Sequence, residues 1–379
     1  MSRPLRFGII GGGLMGKEMA SALGRWFALD PSPGEARLTA VCDTNATARD
    51  WFRRVPGVTG FYDDHRQMLA SGDVDAVYVA VPHSLHKAIY SDVLEAGLDL
   101  LAEKPFGIDL AAAESLVAVA ERTQRFVRVS SEFPFFPGAQ AAYRYVAERR
   151  LGHALEIRSA FLHSSDLDPD KPINWKRQSA TCGTIGVLGD LGMHVTHLPF
   201  RLGIRPNRVS AVLQSIYPDR PDGQGGRAIC DTWDNATLTT WCDGVPGTEA
   251  EVPVTFETKR MAPGEMNTWL FEALGTDGGV RFSTRNPKTL WTYERGKSPQ
   301  WIQTEFGHTP PFSVITGGIF EFGFPDSLLQ LLAAFVAERN GALGDRFGCA
   351  RPEEALLSHR LFEAALRSHE LQRTVEVSG

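Results

Sequence analysis

No run of 18 consecutive apolar residues occurs anywhere in the 379-residue sequence, so no segment reads as a membrane-spanning helix. Positive charge is in deficit too: 39 Lys and Arg stand against 45 Asp and Glu, a net charge of -6. That removes the basic footprint needed for nucleic acid and the polybasic arm that holds a protein on a membrane. Cysteine is scarce, and its 5 copies are odd in number, with no C-x-x-C pair and no metal-ligand spacing. A disulfide framework and a zinc site are therefore not expected, and reduced thiols in the cytoplasm are. Internal repeats and low-complexity tracts are missing as well. Glycines interrupt the first apolar run near the N-terminus, so no signal-peptide core fits there. What is present is ample apolar material: hydrophobic residues make up 43% and charged residues 22%. A soluble chain of this length exceeds one ordinary core, and two domains are expected.

The densest signal lies at Phe7-Gly8-Ile9-Ile10-Gly11-Gly12-Gly13-Leu14-Met15-Gly16. A short apolar strand runs into Gly11, Gly13 and Gly16 at the spacing G-x-G-x-x-G, and Leu14 to Leu29 then reads as a helix. Gly11 permits a tight turn, Gly13 lets backbone approach a pyrophosphate, and Gly16 lets helix and strand pack closely. Unpaired N–H groups of the first helical turn, at Leu14 and Met15, then face the anion. A second strand, Arg37 to Cys42, ends at Asp43, after a Pro/Gly insert that lengthens its distance from the glycines. A carboxylate there can take the adenosine ribose hydroxyls and repel a 2′-phosphate, which favours NAD over NADP. The alternative is that Asp43 caps the following helix, and Arg49 lies near enough to blur the cofactor preference.

Helical and apolar stretches go on alternating: helix 64–70, strand 76–81, helix 85–96, strand 98–102, helix 110–122 and strand 126–130. Such βαβ units imply a parallel sheet with ligands beyond the carboxyl ends of its strands. Three strand ends therefore face a cofactor: Val81-Pro82-His83, Glu103-Lys104-Pro105 and Ser131-Glu132-Phe133. Lys104, before a proline that disfavours helix, is aimed into the crevice, although a salt-bridged rim lysine reads the same way. His83 and His86 can contact a ligand or cover the next helix.

Past a boundary near 133 the pattern changes. Gly138 to Arg150 reads as a linking helix and Ala154 to His163 as a strand, followed by a polar loop with Trp175, Lys176 and Arg177. A helix begins near Gly186. Long alternating segments then run to Trp301–Glu305, and helices at 326–339 and 353–371 close the chain. This predicts an α/β nucleotide-binding part, 1–133, and an α+β part, 134–379, built on a large, mostly antiparallel sheet with one open face. The C-terminal helix is expected to pack back on the first part. In the helix after the loop, Asp190 and His194 are spaced i, i+4 on one face, suited to general acid–base work but also to a plain helix-surface pair. No further ligand completes a metal set.

The glycine turn, Glu103-Lys104-Pro105 and Asp190-x-x-x-His194, in that order and followed by a sheet domain, resemble the glucose–fructose oxidoreductase / inositol dehydrogenase family (Gfo/Idh/MocA). The resemblance implies an NAD(P)-dependent oxidoreductase moving hydride between a secondary alcohol of a sugar, polyol or cyclitol and nicotinamide. It assigns catalysis to Lys104, Asp190 and His194, and substrate contact to these with Trp175 and Arg177. His194 is implied as the general base, Lys104 as the group that stabilises the developing alkoxide, and Asp190 as its electrostatic partner. Departures occur at Glu132 and, both on the substrate side, at Thr184-Ile185 ahead of Gly186 and at His197. An NAD-dependent glycosidase working by transient oxidation is the alternative, and a non-catalytic dinucleotide-binding regulator a weaker one. The open sheet face implies a homodimer or homotetramer.

Overall fold

The computed structural model describes residues 3–304, 311–315, 317 and 321–378. The chain divides into two compact units. Met1–Gly107, Ala111–Phe135 and Thr309–Glu353 form the first; Ile108–Leu110, Phe136–His308 and Glu354–Gly379 form the second.

Six parallel strands build the sheet of the first unit: β1 (Leu5–Ile10), β2 (Ala36–Cys42), β3 (Gly60–Tyr62), β4 (Ala76–Val79), β5 (Asp99–Ala102) and β6 (Val127–Val129). Their spatial order is β3-β2-β1-β4-β5-β6, the doubly wound arrangement whose direction reverses between β1 and β4. Phe7, Ile9, Val77 and Leu101 are buried completely, as strands covered on both faces require. The connecting helices are α1 (Leu14–Gly24), α2 (Ala46–Trp51), α3 (His65–Ala70), α4 (His86–Glu95) and α5 (Leu110–Thr123).

The sequence places the end of α1 at Leu29, but the helix stops at Gly24 and a 3-10 turn, Trp26–Ala28, follows. There the Trp26 indole donates to the Gly34 carbonyl at 2.8 Å, tying the chain to the Pro/Gly insert instead of continuing the helix. Strand β4 ends two residues before the expected Val81, its last neighbour bond running from Ala80 N–H to the Ile10 carbonyl at 2.8 Å. Both α2 and β3 are too short to show a periodic pattern; α2 is fixed by Asn45, whose side chain accepts from the Thr47 and Ala48 N–H groups.

Residues 309–353, which the sequence grouped with everything after 133, fall in the first unit. Their helix, α9 (Phe324–Arg339), is buried on every side from Ser327 to Ala337. Phe335 lies 5.7 Å from the Phe7 ring and 5.1 Å from Phe126, so α9 covers the sheet. Ion pairs Arg25–Asp326, Arg128–Glu338 and Arg339–Asp99 hold its two ends. The Glu338 carboxylate also accepts the Cys349 N–H at 2.6 Å, and Ala350 bridges to Val129 of β6. Thus α9 belongs to the first unit and covers its sheet.

In the second unit, helix α6 (Pro137–Ala147) leads to β7 (Ala154–Leu162), then to a short helix, α7 (Ser179–Cys182), and the long α8 (Val187–Arg201). Strands β8 (Arg205–Gln214), β9 (Asp219–Pro221), β10 (Arg227–Ile229), β11 (Asn235–Asp243), β12 (Val252–Lys259), β13 (Thr268–Gly275), β14 (Gly278–Ser283), β15 (Thr289–Glu294) and β16 (Gln300–Gln303) follow. After them come α10 (Pro352–Leu371) and β17 (Val375–Glu376). Glu305, the expected end of the last long strand, lies outside the described residues.

The nine-stranded sheet has the order β16-β15-β14-β13-β7-β12-β11-β8-β17 and is antiparallel except for β7 beside β12. The short β9 and β10 form a separate ribbon. Helix α8 is buried all round, from Val187 to Phe200, because it lies between this sheet and α10. A side chain at Gly192 would strike the Phe362 ring, and Thr196 hydrogen-bonds Ser358 at 2.8 Å. The outer sheet face carries cation–aromatic pairs, Arg208 over Trp241 and Arg281 over Trp291, and an exposed Trp301.

Because Glu338 anchors α9 through a largely buried pair, Glu338→Ala leaves Arg128 uncompensated and should cost about 2–3 kcal/mol, less than for a fully buried charge. A denaturant titration of the variant checks this; an unchanged midpoint would mean that α9 is not held through this carboxylate.

Candidate functional site

The glycine turn closes on itself as the motif requires. Gly11 has φ +102°, and a Cβ there would sit 2.1 Å from the Ala80 carbonyl oxygen; at Gly16 it would sit 2.1 Å from the Gly11 oxygen. At Gly13, by contrast, no atom of the described residues lies within 4 Å of where a Cβ would stand. Space is therefore left over the N-terminus of α1, where the first bond back along the helix is from Lys17 N–H to Gly13 O. The N–H groups of Leu14, Met15 and Gly16 have no intrahelical partner and form a cradle of the size and polarity a pyrophosphate needs. Asp43 follows β2, and its Oδ2 accepts the Gly12 N–H at 2.7 Å while Oδ1 accepts the Asn45 N–H at 2.8 Å. Its carboxylate is thereby fixed beside the turn, with lone pairs left for a sugar hydroxyl. Arg49 is bonded to the backbone carbonyl of Asp43. This residue set fits a dinucleotide.

At the ends of β4 and β5 the expected residues divide. His83 is buried, and His86 is completely so. The Nδ1 of His86 lies 2.7 Å from the Pro105 carbonyl and its Nε2 3.0 Å from that of Val81. Burial pushes this imidazole down to about 4, so at neutral pH it carries one ring proton and donates to one carbonyl at a time. The sequence offered His86 as a cofactor contact; the structure instead makes it a brace between the turn after β4 (Val81, Pro82) and the turn after β5.

Glu103 likewise faces inward. Its carboxylate accepts from Tyr78 Oη at 2.6 Å and from the Lys104 N–H at 3.2 Å, and its carbonyl accepts from Tyr90 Oη at 2.8 Å. Lys104 is half-buried and joined to Pro105 by a cis peptide. Glu132, after β6, is almost fully buried. Burial first, then the charge of Glu103, lifts its carboxyl to about 8, against its own backbone N–H and Lys104, which pull it down.

In the second unit, Asn174 caps the 3-10 turn Trp175–Arg177 by accepting the Lys176 N–H at 3.0 Å. Successive side chains on such a turn diverge by about 120°. Arg177 turns inward, 2% exposed, and its guanidinium pairs with Asp166 and with Asp234 at 3.3 Å. It was expected to face substrate; here it holds the loop to the core. Burial, together with the nearby Arg260, pulls its pKa down to about 10.

Lys176 turns the other way, its Nζ 2.9 Å from Asp190 Oδ1. On α8, Gly186 forms the N-cap with φ +53°, where a Cβ would meet Trp233 N at 2.7 Å, so this one glycine ahead of the helix is sterically required. Asp190 sits in the first turn, where the helix dipole favours a carboxylate. Its Oδ2 takes the Arg260 guanidinium at 3.2 Å. His194 follows one turn later, buried, with its ring edge-on to Phe161 at 5.2 Å and its carbonyl accepting the Trp269 indole N–H at 2.7 Å. Trp175 is half-buried, and His197 is buried. Sequence reasoning missed Arg260 and Trp269. An arginine just past an alternating strand, at Lys259-Arg260, was the available signal for the first; Trp269 looked like any core aromatic.

Two family models match the chain in succession. Residues 5–131 match the oxidoreductase family with an NAD-binding Rossmann fold (GFO_IDH_MocA), and residues 139–281 match the GFO/IDH/MocA C-terminal domain. The chain belongs to the Gfo/Idh/MocA family and is an oxidoreductase. Among its relatives is levoglucosan dehydrogenase of Pseudarthrobacter phenanthrenivorans, 26% identical over 74% of this chain and 73% of that protein. Another is trans-1,2-dihydrobenzene-1,2-diol dehydrogenase of Sus scrofa, 25% identical over 64% of this chain and 72% of the relative. The fold matches a solved levoglucosan dehydrogenase in complex with NADH at a TM-score of 0.88 and 22% identity, covering 99% of this chain and 100% of the other. It also matches an inositol dehydrogenase homolog complexed with NAD+ from Azotobacter vinelandii at a TM-score of 0.80 and 21% identity, over 99% and 98%.

Glu132 gives the first unit a pH signature. Its folded pKa, about 8, lies above the unfolded value, so the folded state holds a proton that the unfolded state has released between roughly pH 4.5 and 8. Stability from this group is therefore complete at low pH and falls as pH rises through that window. Glu132→Gln should remove the decline, and its melting temperature should overtake that of the parent chain at pH 8–9. Parallel melting curves across that range would show that Glu132 ionises normally.

Proposed function

We propose that this enzyme transfers hydride between a secondary alcohol of a sugar, polyol or cyclitol and NAD. The observation that carries the reading is the Asp190–His194 pair on α8: a carboxylate and an imidazole, both 3% exposed, one helical turn apart, the carboxylate fixed on both oxygens by Lys176 and Arg260. The levoglucosan and 1,2-diol in the relatives' names support a hydroxylated substrate.

His194 takes the substrate hydroxyl proton as general base and returns it in the reverse direction. The C–H bond breaks with its electron pair, the C=O bond forms, and Lys104 stabilises the alkoxide charge that develops on the oxygen. Asp190 fixes a neighbouring hydroxyl. Bound NAD supplies the hydride acceptor, held by Gly11, Gly13, Gly16 and the α1 N-terminus. Asp43 favours NAD over NADP, since a carboxylate beside the ribose repels a 2′-phosphate. The protein works in the cytoplasm as a homodimer or homotetramer, with the outer face of the large sheet, bearing Trp241, Trp291 and Trp301, as the contact.

His194→Ala and Lys104→Ala should each lower kcat at least about 100-fold on a polyol substrate, with NADH affinity changed little. Stopped-flow turnover beside NADH fluorescence titration reads both, and near-normal turnover in either variant removes that residue from the chemistry. Asp43→Ala should narrow the NAD/NADP ratio of kcat/KM about 10-fold or more; a ratio that stays put assigns the discrimination to another group.

A further inference from the structure

Five basic side chains gather in the second unit around Asp190 and the loop before α8: Lys171, Lys176, Arg177, Arg220 and Arg260. Three are closed to any ligand. Arg177, Arg220 and Arg260 are at most 2% exposed; Arg177 pairs with Asp166 and Asp234, Arg220 donates to the carbonyls of Asp166 and Asp168, and Arg260 bonds Asp190. The Nζ of Lys171 is held by the Ser165 carbonyl at 2.6 Å and Asp166 at 2.8 Å. Lys176 differs. Its side chain is 38% exposed, and among the described residues its only hydrogen-bond acceptor is Asp190 Oδ1, with the Trp175 ring 5.6 Å from Nζ. An ammonium has three N–H donors, so two remain for a ligand.

The backbone around it is rigid. Asn174 caps the turn, and the Lys176 carbonyl accepts from Thr232 at 3.1 Å and from Arg260 at 3.2 Å. Asp190 does not need Lys176 in order to be paired, because Arg260 already meets its other oxygen. A half-exposed cation on that carboxylate therefore has a use beyond charge balance.

We propose that Lys176 is a substrate-contacting residue that reads an oxygen next to the reacting alcohol. This rests on the reading that Asp190 and His194 face that alcohol. Asp190 and His194 side chains one turn apart stand about 5–6 Å from each other. A donor seated on Asp190 accordingly meets a neighbouring hydroxyl, not the one whose proton goes to His194. Lys176 selects polyhydroxylated substrates by rewarding that second oxygen, and the inward-facing Arg177 cannot replace it.

The test compares the parent enzyme with Lys176→Met and Lys176→Arg on one polyol and on analogues deoxygenated at each position in turn. Lys176→Met should lose about 10- to 100-fold in kcat/KM, mostly through KM, the worth of a hydrogen bond from a charged donor. On one deoxy analogue the loss should vanish, and Lys176→Arg should restore part of the activity on the full substrate. An equal loss on every analogue, or none at all, overturns the proposal while leaving the dehydrogenase reading intact. A parent enzyme that oxidises no polyol overturns the dehydrogenase reading instead. In that case a polyol-dependent rise in melting temperature with NADH present decides about Lys176. It should appear in His194→Ala and disappear when Lys176→Met is added; its persistence in the double variant, or its absence in His194→Ala, counts against Lys176.

Discussion

A carboxylate taken out of water must be paired, and Asp190 imposes that constraint on the whole second unit. An unpaired ion there would cost several kcal/mol, so both of its oxygens meet cations. Arg260 reaches it from the position just past the end of β12 at Lys259. Lys176 can reach it only because Asn174 caps a tight turn. The Trp269 indole fixes α8 from the sheet side through the His194 carbonyl, and Phe362 approaches Gly192 from the other. Helix, loop and strand end are thus mutually determined by one buried charge and the two faces of one helix.

In the first unit the governing constraint is steric. Strand β1, the turn after β4 and helix α1 approach so closely that Gly11 and Gly16 leave no room for a methyl group. Beneath them lies a polar layer in which His86 bridges two turns and Glu103 is held by two tyrosines and a backbone N–H. Glu132 shares this layer, and its carboxyl is raised first by burial and then by the charge of Glu103. That layer sets the backbone at Lys104, so the geometry of one half-buried amine depends on the buried polar groups around it.

Much of this was legible in the sequence. The glycine spacing, the βα alternation and the i, i+4 spacing of Asp190 and His194 are local patterns, and local patterns survive in a linear reading. The extent of α1, the site of α9 and the side-chain directions of Arg177 and His86 were not legible. Each is decided by a partner distant in sequence: Gly34 carbonyl for Trp26, the β1 and β6 aromatics for Phe335, Asp234 for Arg177, Pro105 for His86. Arg260 escaped notice for the same reason, since it lies 70 residues beyond the carboxylate it serves.

A common device links the two units. At Glu103-Lys104 and at Lys176-Arg177, two charged residues stand side by side where the chain changes direction, and adjacent side chains there cannot point the same way. One becomes an anchor, bonded on several sides within the unit; the other remains partly exposed. The anchor removes backbone freedom from its neighbour, whose long, flexible side chain would otherwise lose entropy on meeting a ligand. Lysine suits the exposed role because a compact ammonium can share its three donors between a fixed carboxylate and a variable guest. Glutamate and arginine suit the inner one, offering several bonding directions from a rigid planar group. Exchanging the members of either pair would keep composition and net charge while destroying the arrangement, so it is the order of the two residues, fixed by the geometry of the turn, that carries the information.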